Sequence, residues 1–331
     1  MKAVLIRKQG GRENLRLEEI EKPKPCPGEI LVQVKSCSLN YLDIFVRKGM
    51  PGLPVDLPRI GGGDISGVIE EIGAGVERLN PGDRVLIDPA ISLPNGQLGA
   101  LGENANGGLA EYIAVPSVNA ILLPSQVSFT DAAALPIAYG TAWRMLYTRG
   151  GVSKGESIFI LGASGGVGTA AIQIAKSIGC VVYAGSGSDD KLEKLKSLGA
   201  DYGVNTSTNK EFHRAIRSMT NGEGVDVVVN YTGGETWVRS LKTLKHGGRL
   251  LTCGATIGFD PPTDIRYIWR KEMDIRGSDG WRRSDLIALI GAVEQGEIKP
   301  IIDKVLPLEH TEEGHRLLEE REVFGKVIIQ P

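Results

Sequence analysis

The feature that most constrains this chain is a glycine-rich turn between an apolar strand and a helix. It runs Ser157-Ile-Phe-Ile-Leu161, then Gly162-Ala-Ser-Gly165-Gly166-Val-Gly168, then Thr169-Ala-Ala-Ile-Gln-Ile-Ala-Lys176. Aligned to G-x-G-x-x-G, the turn reads Ala163-x-Gly165-x-x-Gly168. A small first residue makes the tight turn. Gly165 lets the backbone approach a pyrophosphate, and Gly168 lets the helix pack closely on the strand. The anion would sit at the helix N-terminus, where free N–H groups and the helix dipole favour negative charge. Ala163, Ser164, Gly165, Gly166, Val167 and Gly168 are therefore candidate cofactor-binding residues. Two rival motifs overlap the turn. A P-loop needs Gly-Lys-Ser/Thr, but Gly168 is followed by Thr169-Ala170. A nucleophile elbow, G-x-S-x-G, matches as Gly162-Ala-Ser164-Gly165-Gly166, with Asp226 and His246 in the order that a hydrolase would need. Hydrolase stays a distant alternative, because Ser164 lies inside the fuller dinucleotide pattern.

The turn sits in a two-part chain. Its 331 residues suggest two domains. Residues 1–125 alternate at period two between frequent Gly and Pro. They predict short strands at 3–7, 15–19, 29–35, 67–72, 84–87 and 111–115, in an antiparallel barrel or sandwich. One helix is expected there, at 41–48. From about residue 128 helices and strands alternate. Ser128-Phe-Thr-Asp131 opens the first helix in the manner of a capping box. Strands are expected at 157–161, 180–184, 202–205, 225–230, 249–253 and 273–277, which is the rhythm of a parallel, doubly wound α/β sheet. A helix at 284–295, a strand near 304–306, a helix at 311–320 and a strand at 326–330 follow. The expected division is a β-rich domain of residues 1–125 and 278–331 around a nucleotide-binding domain of residues 126–277.

The second strand of that sheet bears on which nucleotide is held. An NAD site places a carboxylate about 20 residues beyond the turn, on the ribose 2′-OH. Here that position falls on Gly185 or Ser186. A carboxylate would repel a 2′-phosphate, and its absence removes that repulsion. Ser186, Ser188 and Lys191 offer hydrogen-bonding or cationic groups. NADP(H) is therefore expected over NAD(H).

Composition closes other readings. Lys and Arg number 38 against 40 Asp and Glu, a net charge of −2, which argues against a nucleic-acid partner held by bulk charge. No run of 18 apolar residues suits a membrane span. The N-terminus reads as a first strand rather than a leader. Cys26, Cys37, Cys180 and Cys253 lack zinc-finger spacing and read as reduced thiols of a cytoplasmic protein. All four histidines, His213, His246, His310 and His315, lie beyond residue 200. Residues 1–125 thus hold no His and only two Cys, and no zinc site built from N and S ligands is expected in them.

Several segments together carry a family resemblance. They are Pro25-Cys-Pro-Gly28-Glu-Ile-Leu-Val-Gln-Val34, Gly73-Ala-Gly-Val76 with Pro81-Gly-Asp-Arg-Val85, Gly108-Leu-Ala-Glu-Tyr112, the turn 163–168, Leu198-Gly-Ala-Asp201 and Phe324-Gly-Lys326. With them the chain resembles the medium-chain dehydrogenase/reductase superfamily along nearly its whole length. The resemblance implies a GroES-like catalytic domain, split in sequence, and a Rossmann domain, with the active site in the cleft. Zinc-dependent members use a Cys, the His of a Gly-His-Glu motif and a second Cys. Those positions correspond to Asn40, to Gly63 of Gly62-Gly63-Asp64, and to Ile137, so no zinc is expected. The structural-zinc lobe would lie between Asp88 and Gly107, where there is no Cys. Asp43 and Asp64 read as buried or hydrogen-bonded carboxylates in turns.

Leu39-Asn40-Tyr41-Leu42-Asp43 with Gly63-Asp64 resembles the quinone oxidoreductase branch, whereas residues 314–326 are similar to zinc alcohol dehydrogenases. The expected activity is a zinc-independent NADP(H)-dependent transfer of hydride to an activated carbonyl, enone or quinone. The alternatives are an NAD(P)-dependent alcohol dehydrogenase and a non-catalytic NADP-binding structural or regulatory protein. A developing oxyanion needs donors aimed at it, and the candidates are the Asn40 amide and the Tyr41 hydroxyl. The resemblance also implies cofactor contacts from Asn40, from Thr141 at the nicotinamide, from Lys326 near the pyrophosphate, and from Thr232, Gly254 and Ala255. It implies a small-molecule substrate and a homodimer or homotetramer paired along strand 273–277.

Overall fold

The computed structural model describes residues 1–52, 54–93 and 96–331; Pro94 and Asn95, within the segment read above for a zinc lobe, lie outside the described residues. The chain divides into two units, residues 1–137 with 286–331 and residues 138–285.

In the first unit period-two alternation becomes mostly antiparallel sheet. β1 (Lys2–Ile6) pairs with β2 (Leu15–Glu19). β3 (Glu29–Leu39) is the longest strand, and α1 (Tyr41–Lys48) follows it after one residue. β4 (Arg59–Ile60) joins β1. β5 (Asp64–Ile72) lies between β3 and β6 (Arg84–Ile87). β7 (Ala90–Ser92) and β8 (Leu98–Ala100) form a small ribbon. β9 (Tyr112–Pro116) pairs with β3, and β10 (Ala120–Leu122) pairs with β6. The core is aliphatic, with Ile30, Val32, Ile65, Val85 and Ile87 all inward-facing. α2 (Phe129–Ala133) starts at Ser128, whose Oγ accepts the Asp131 N–H at 3.0 Å.

The second unit starts with helical segments, α3 (Gly140–Trp143) among them. It then alternates β11 (Ser157–Leu161), α4 (Gly166–Ile178), β12 (Val181–Ser186), α5 (Asp189–Ser197), β13 (Tyr202–Asn205), α6 (Phe212–Met219), β14 (Val225–Val229), α7 (Thr236–Thr243), β15 (Leu244–Thr252), α8 (Arg266–Arg270) and β16 (Asp274–Gly277). The sheet order is β13-β12-β11-β14-β15-β16, and every pair is parallel. Chain order reverses between β11 and β14, the switch point beside which open α/β sheets bind ligands. Strands covered on both faces read as continuous apolar runs, and in Ile158–Leu161 every residue is buried.

The chain re-enters the first unit within α9 (Arg283–Glu294). β17 (Ile302–Pro307), α10 (Thr311–Glu319) and β18 (Lys326–Gln330) follow. β18 pairs antiparallel with β3, while β17 runs parallel to β18. The sheet is therefore not purely antiparallel as expected: α10 serves as the crossover that a parallel pair requires. α10 is pinned to α1 by Arg47, which is wholly buried. The Arg47 guanidinium donates to Gly10 O at 2.7 Å, to the Glu319 carboxylate at 2.7 Å and to His315 Nδ1 at 3.4 Å. Burial, with Arg47 beside it, pushes the His315 imidazole down to about 3. Among the described residues no helix is long and apolar enough to cross a membrane.

Candidate active site

The glycine-rich turn is built almost entirely from backbone. Gly162 takes a left-handed φ of +70° and makes the bend, and the Tyr231 hydroxyl donates to its carbonyl at 2.7 Å. Ala163 donates to Gly185 O at 2.9 Å, tying the turn to the end of β12. Gly165 caps α4 with extended backbone, and a Cβ there would meet only Gly162 O, at 3.6 Å. A Cβ on Gly168 would fall 2.5 Å from Ala163 O and 2.6 Å from Ala163 Cα, so the helix can start this close to the strand only with glycine. The N–H groups of Gly166, Val167 and Gly168 open the helix, before any intrahelical carbonyl can accept them. These features fit a pyrophosphate.

The other strand ends carry most of the remaining cofactor candidates. Ser186 ends β12 nearly buried, and its Oγ donates to Ser164 Oγ at 3.4 Å. Ser188 precedes α5, which carries Lys191 in its first turn. Asp189, the first carboxylate beyond the strand, accepts the Asn205 amide at 2.8 Å. Thr232 follows β14, and its N–H donates to Asn230 Oδ1 at 2.9 Å. Gly254 and Ala255 follow β15, and Thr141 lies mostly buried in α3. Sequence reading missed Asn230 and Tyr231. The Asn230 amide also donates to Thr236 Oγ1 and Ser240 Oγ, at 3.1 and 2.8 Å, so it braces the β14 end against α7. Their place directly after the buried run Val227–Val229 is the signal that could have found them.

In the first unit a compact polar cluster is set by strand register. Ser38 faces Asp64 across β3 and β5, and Leu39 faces Val327 across β3 and β18. Asn40, Asp64 and Lys326 therefore meet, although they lie 24 and 262 residues apart. The Lys326 ammonium donates to Leu39 O at 2.9 Å, to Asn40 Oδ1 at 2.5 Å and to Asp64 Oδ2 at 3.3 Å. Asn40 Nδ2 donates to Asp64 Oδ2 at 2.7 Å and to Ser38 O at 3.4 Å. Asp64 Oδ1 accepts the Ile137 N–H at 2.9 Å. The second carboxylate, Asp43, accepts the Asn40 N–H at 2.7 Å and the Gly62 N–H at 2.8 Å. Burial pushes Asp43 up to about 6 against those two donors; burial also raises Asp64, with Lys326 countering it. Both acids are buried and hydrogen-bonded, as read from the sequence, but Asp43 lies in α1 and Asp64 opens β5 rather than lying in turns.

Two candidates are engaged within the first unit. Both ends of the Asn40 amide are hydrogen-bonded, to Lys326, Asp64 and Ser38. Lys326 is 2% exposed, with three acceptors inside its own unit. Tyr41, the first residue of α1, is half-buried against Phe45, with ring centroids 5.3 Å apart. Its hydroxyl has no hydrogen-bond partner among the described residues.

The positions that correspond to zinc ligands converge on Asp64, but they do not suit a zinc ion. Asn40 contributes an amide already bonded at both ends, and Ile137 contributes an apolar side chain. A Cβ on Gly63 would lie 2.8 Å from Leu101 O and 3.1 Å from Ile137 Cδ1, so a ligating side chain there has no room. Among the described residues no group of three His, Cys, Asp or Glu is placed to hold a metal.

Comparison with known proteins bears on both regions. A family model described as the alcohol dehydrogenase GroES-like domain matches residues 26–125, and one described as zinc-binding dehydrogenase matches residues 166–295. A zinc-type alcohol dehydrogenase-like protein of Schizosaccharomyces pombe is 32% identical over 97% of this chain and 96% of its own length. The quinone oxidoreductase of Homo sapiens is 30% identical over 99% of this chain and 97% of its own. A crystal structure of an NAD-dependent alcohol dehydrogenase is 40% identical, covers 100% of both chains and has a TM-score of 0.93.

Proposed function

The chain belongs to the medium-chain dehydrogenase/reductase superfamily of NAD(P)-dependent oxidoreductases, and on that premise we propose that it is a zinc-independent, NADP(H)-dependent reductase of activated carbonyl, enone or quinone acceptors. The observation that carries this reading is that Asn40, at one position set against a metal ligand, is bonded at both ends to Lys326 and Asp64, with Gly63 closed to any side chain. Zinc stabilises an alkoxide as a Lewis acid. A site without it suits acceptors whose developing charge is already delocalised, and leaves simple aliphatic alcohols as poor substrates.

The N–H groups at the start of α4 would hold the cofactor pyrophosphate, with Thr141, Thr232, Gly254 and Ala255 as further contacts. A bound dihydronicotinamide supplies the hydride. Tyr41 is the proton donor to the acceptor oxygen, and solvent restores its proton, so that the acceptor gains one hydride and one proton. Gly185 and Ser186 at the end of β12 leave the 2′-phosphate unopposed by a carboxylate, which supports NADP(H). β16 lies at the edge of its sheet with Ile275 exposed, and supports a homodimer paired along that strand.

Turnover of NADPH and NADH with a panel of quinones, enones, aryl ketones and aliphatic alcohols tests the reading. The expected result is NADPH-linked reduction that EDTA does not change, in protein carrying far less than one zinc per chain. Zinc near one per chain, with activity that follows it, would refute it. The second reading, an NAD-dependent alcohol dehydrogenase, is favoured by the 40% identity to the solved enzyme of that description. It predicts NAD-linked alcohol oxidation in the same panel.

A further inference from the structure

We propose that Lys326 is a positioning residue for hydride transfer, the internal cation around which Asn40, Asp64 and the start of α1 are assembled. This rests on the metal-independent reading above and adds to it what holds the Asn40 amide in place.

The first argument is chemical. A buried ammonium must be matched by acceptors, and Leu39 O, Asn40 Oδ1 and Asp64 Oδ2 match the three N–H groups one to one. The second is directional. Lysine only donates, so its contact with Asn40 settles which way the amide points: Oδ1 toward Lys326, Nδ2 toward Asp64. A flipped amide would set NH₂ against the ammonium and the carbonyl oxygen against the carboxylate, two repulsions at once. The third concerns location. Val327, Ile328 and Ile329, the next residues of β18, are all fully buried and apolar. Replacing a buried ion pair by apolar residues is often neutral or stabilising, so the sheet has no need of a charge at its first position.

The chain of contact then runs from Lys326 to Asn40, and from Asn40 to Tyr41, the next residue and the first of α1. The Asp43 carboxylate, on the Asn40 and Gly62 N–H groups, fixes the same helix start from the other side. Lys326 itself is enclosed and cancelled by Asp64. It orients the site and does not touch the acceptor.

The test uses Lys326→Met and the double variant Lys326→Met/Asp64→Asn, which removes both charges and leaves no unpaired buried carboxylate. kcat and KM with a quinone and an enone, NADPH affinity and melting temperature are measured for each. Lys326→Met should melt lower, and its kcat should fall roughly 30- to 100-fold, as misplacement of a reacting group does, while NADPH affinity stays within about threefold. The double variant should recover most of the melting temperature but remain at least about tenfold low in kcat, because nothing orients the Asn40 amide. If kcat returns together with stability, Lys326 is only a structural counter-ion and the proposal falls. If NADPH affinity drops more than about tenfold with kcat intact, Lys326 serves the cofactor and the proposal also falls. Should Lys326→Met not fold, the double variant carries the test. A crystal structure of the double variant gives a readout free of turnover: an Asn40 amide unmoved from its native orientation overturns the proposal. A wild type that oxidises alcohols but reduces neither acceptor sinks the reductase reading alone, and the same kcat split is then read on the alcohol.

Discussion

The glycine-rich turn of the second unit and the Lys326 cluster of the first are built on opposite principles. The turn is contiguous in sequence, made of glycines and backbone N–H groups, and its defining constraint is steric. The cluster is made of side chains, joined by strand register across as many as 287 residues, and its constraint is electrostatic. The first should tolerate charge changes and fail on added volume. The second should tolerate little change of charge, and the unit that holds it should carry the molecule's response to pH.

Gly168→Val sharpens the steric half most. The new side chain begins 2.5 Å from Ala163 O, so α4 must move off the strand. About 1–3 kcal/mol of stability should be lost, with NADPH binding abolished in fluorescence titration. Wild-type affinity in this variant would break the comparison.

Ser186→Asp comes next. A carboxylate at the end of β12 offers two acceptors to a ribose hydroxyl and repels a 2′-phosphate. Ser186 is nearly buried, so solvent screens the repulsion poorly. The NADPH/NADH ratio of kcat/KM should swing about ten- to hundredfold, or ~1–3 kcal/mol. A wild type that prefers NADH, or a ratio that does not move, would show that the phosphate is not read at this strand end.

The pH response should come from the first unit. His315 has its folded-state value lowered from 6.5 to about 3 by burial and by Arg47. The stability it contributes is fully present above pH 6.5 and is lost as pH falls toward 3, at up to about 1.4 kcal/mol per unit of pH. Asp43 works in the opposite sense: raised from 3.8 to about 6, its contribution is present below pH 3.8 and lost as pH rises through 6. His315→Gln keeps an acceptor for Arg47 and should flatten the fall in melting temperature between pH 6.5 and 4. An unchanged slope would move the acid-sensitive group elsewhere.

Lys191→Ala should have the smallest effect. It sits in the first turn of α5 on a partly exposed surface. NADPH affinity should weaken about two- to fivefold, more at low salt, with NADH unchanged. An equal loss for both nucleotides would mean that Lys191 does not read the phosphate.

How much of each region was legible follows from the same contrast. Strands Leu15–Glu19, Arg84–Ile87, Ser157–Leu161 and Lys326–Gln330 and helix Tyr41–Lys48 fall where periodicity placed them. The two-residue β4, the three-residue β10 and the five-residue α8 did not show, because so few residues hold no period. The misjudged strand ends mattered more. β3 continues to Leu39 and β5 begins at Asp64, beyond the limits that alternation suggests. Those added residues bring Asn40 and Asp64 together. Alternation could not mark them, because Ser36, Cys37, Ser38 and Leu39 are all buried regardless of polarity.

By itself, then, the sequence determined the parts whose physics is local: the turn that only glycine permits at position 168, the alternation of strand and helix, and the residue types Asn, Gly and Ile at positions 40, 63 and 137. Tertiary structure alone decided what a charged side chain faces. Lys326 follows Phe324-Gly325 at the start of a strand, and nothing in its neighbours says whether its ammonium meets solvent, a phosphate or a carboxylate. That depends on which strand β18 pairs with and in what register. A steric requirement is written in the residue that bears it, whereas an electrostatic one is shared between partners that only the fold selects.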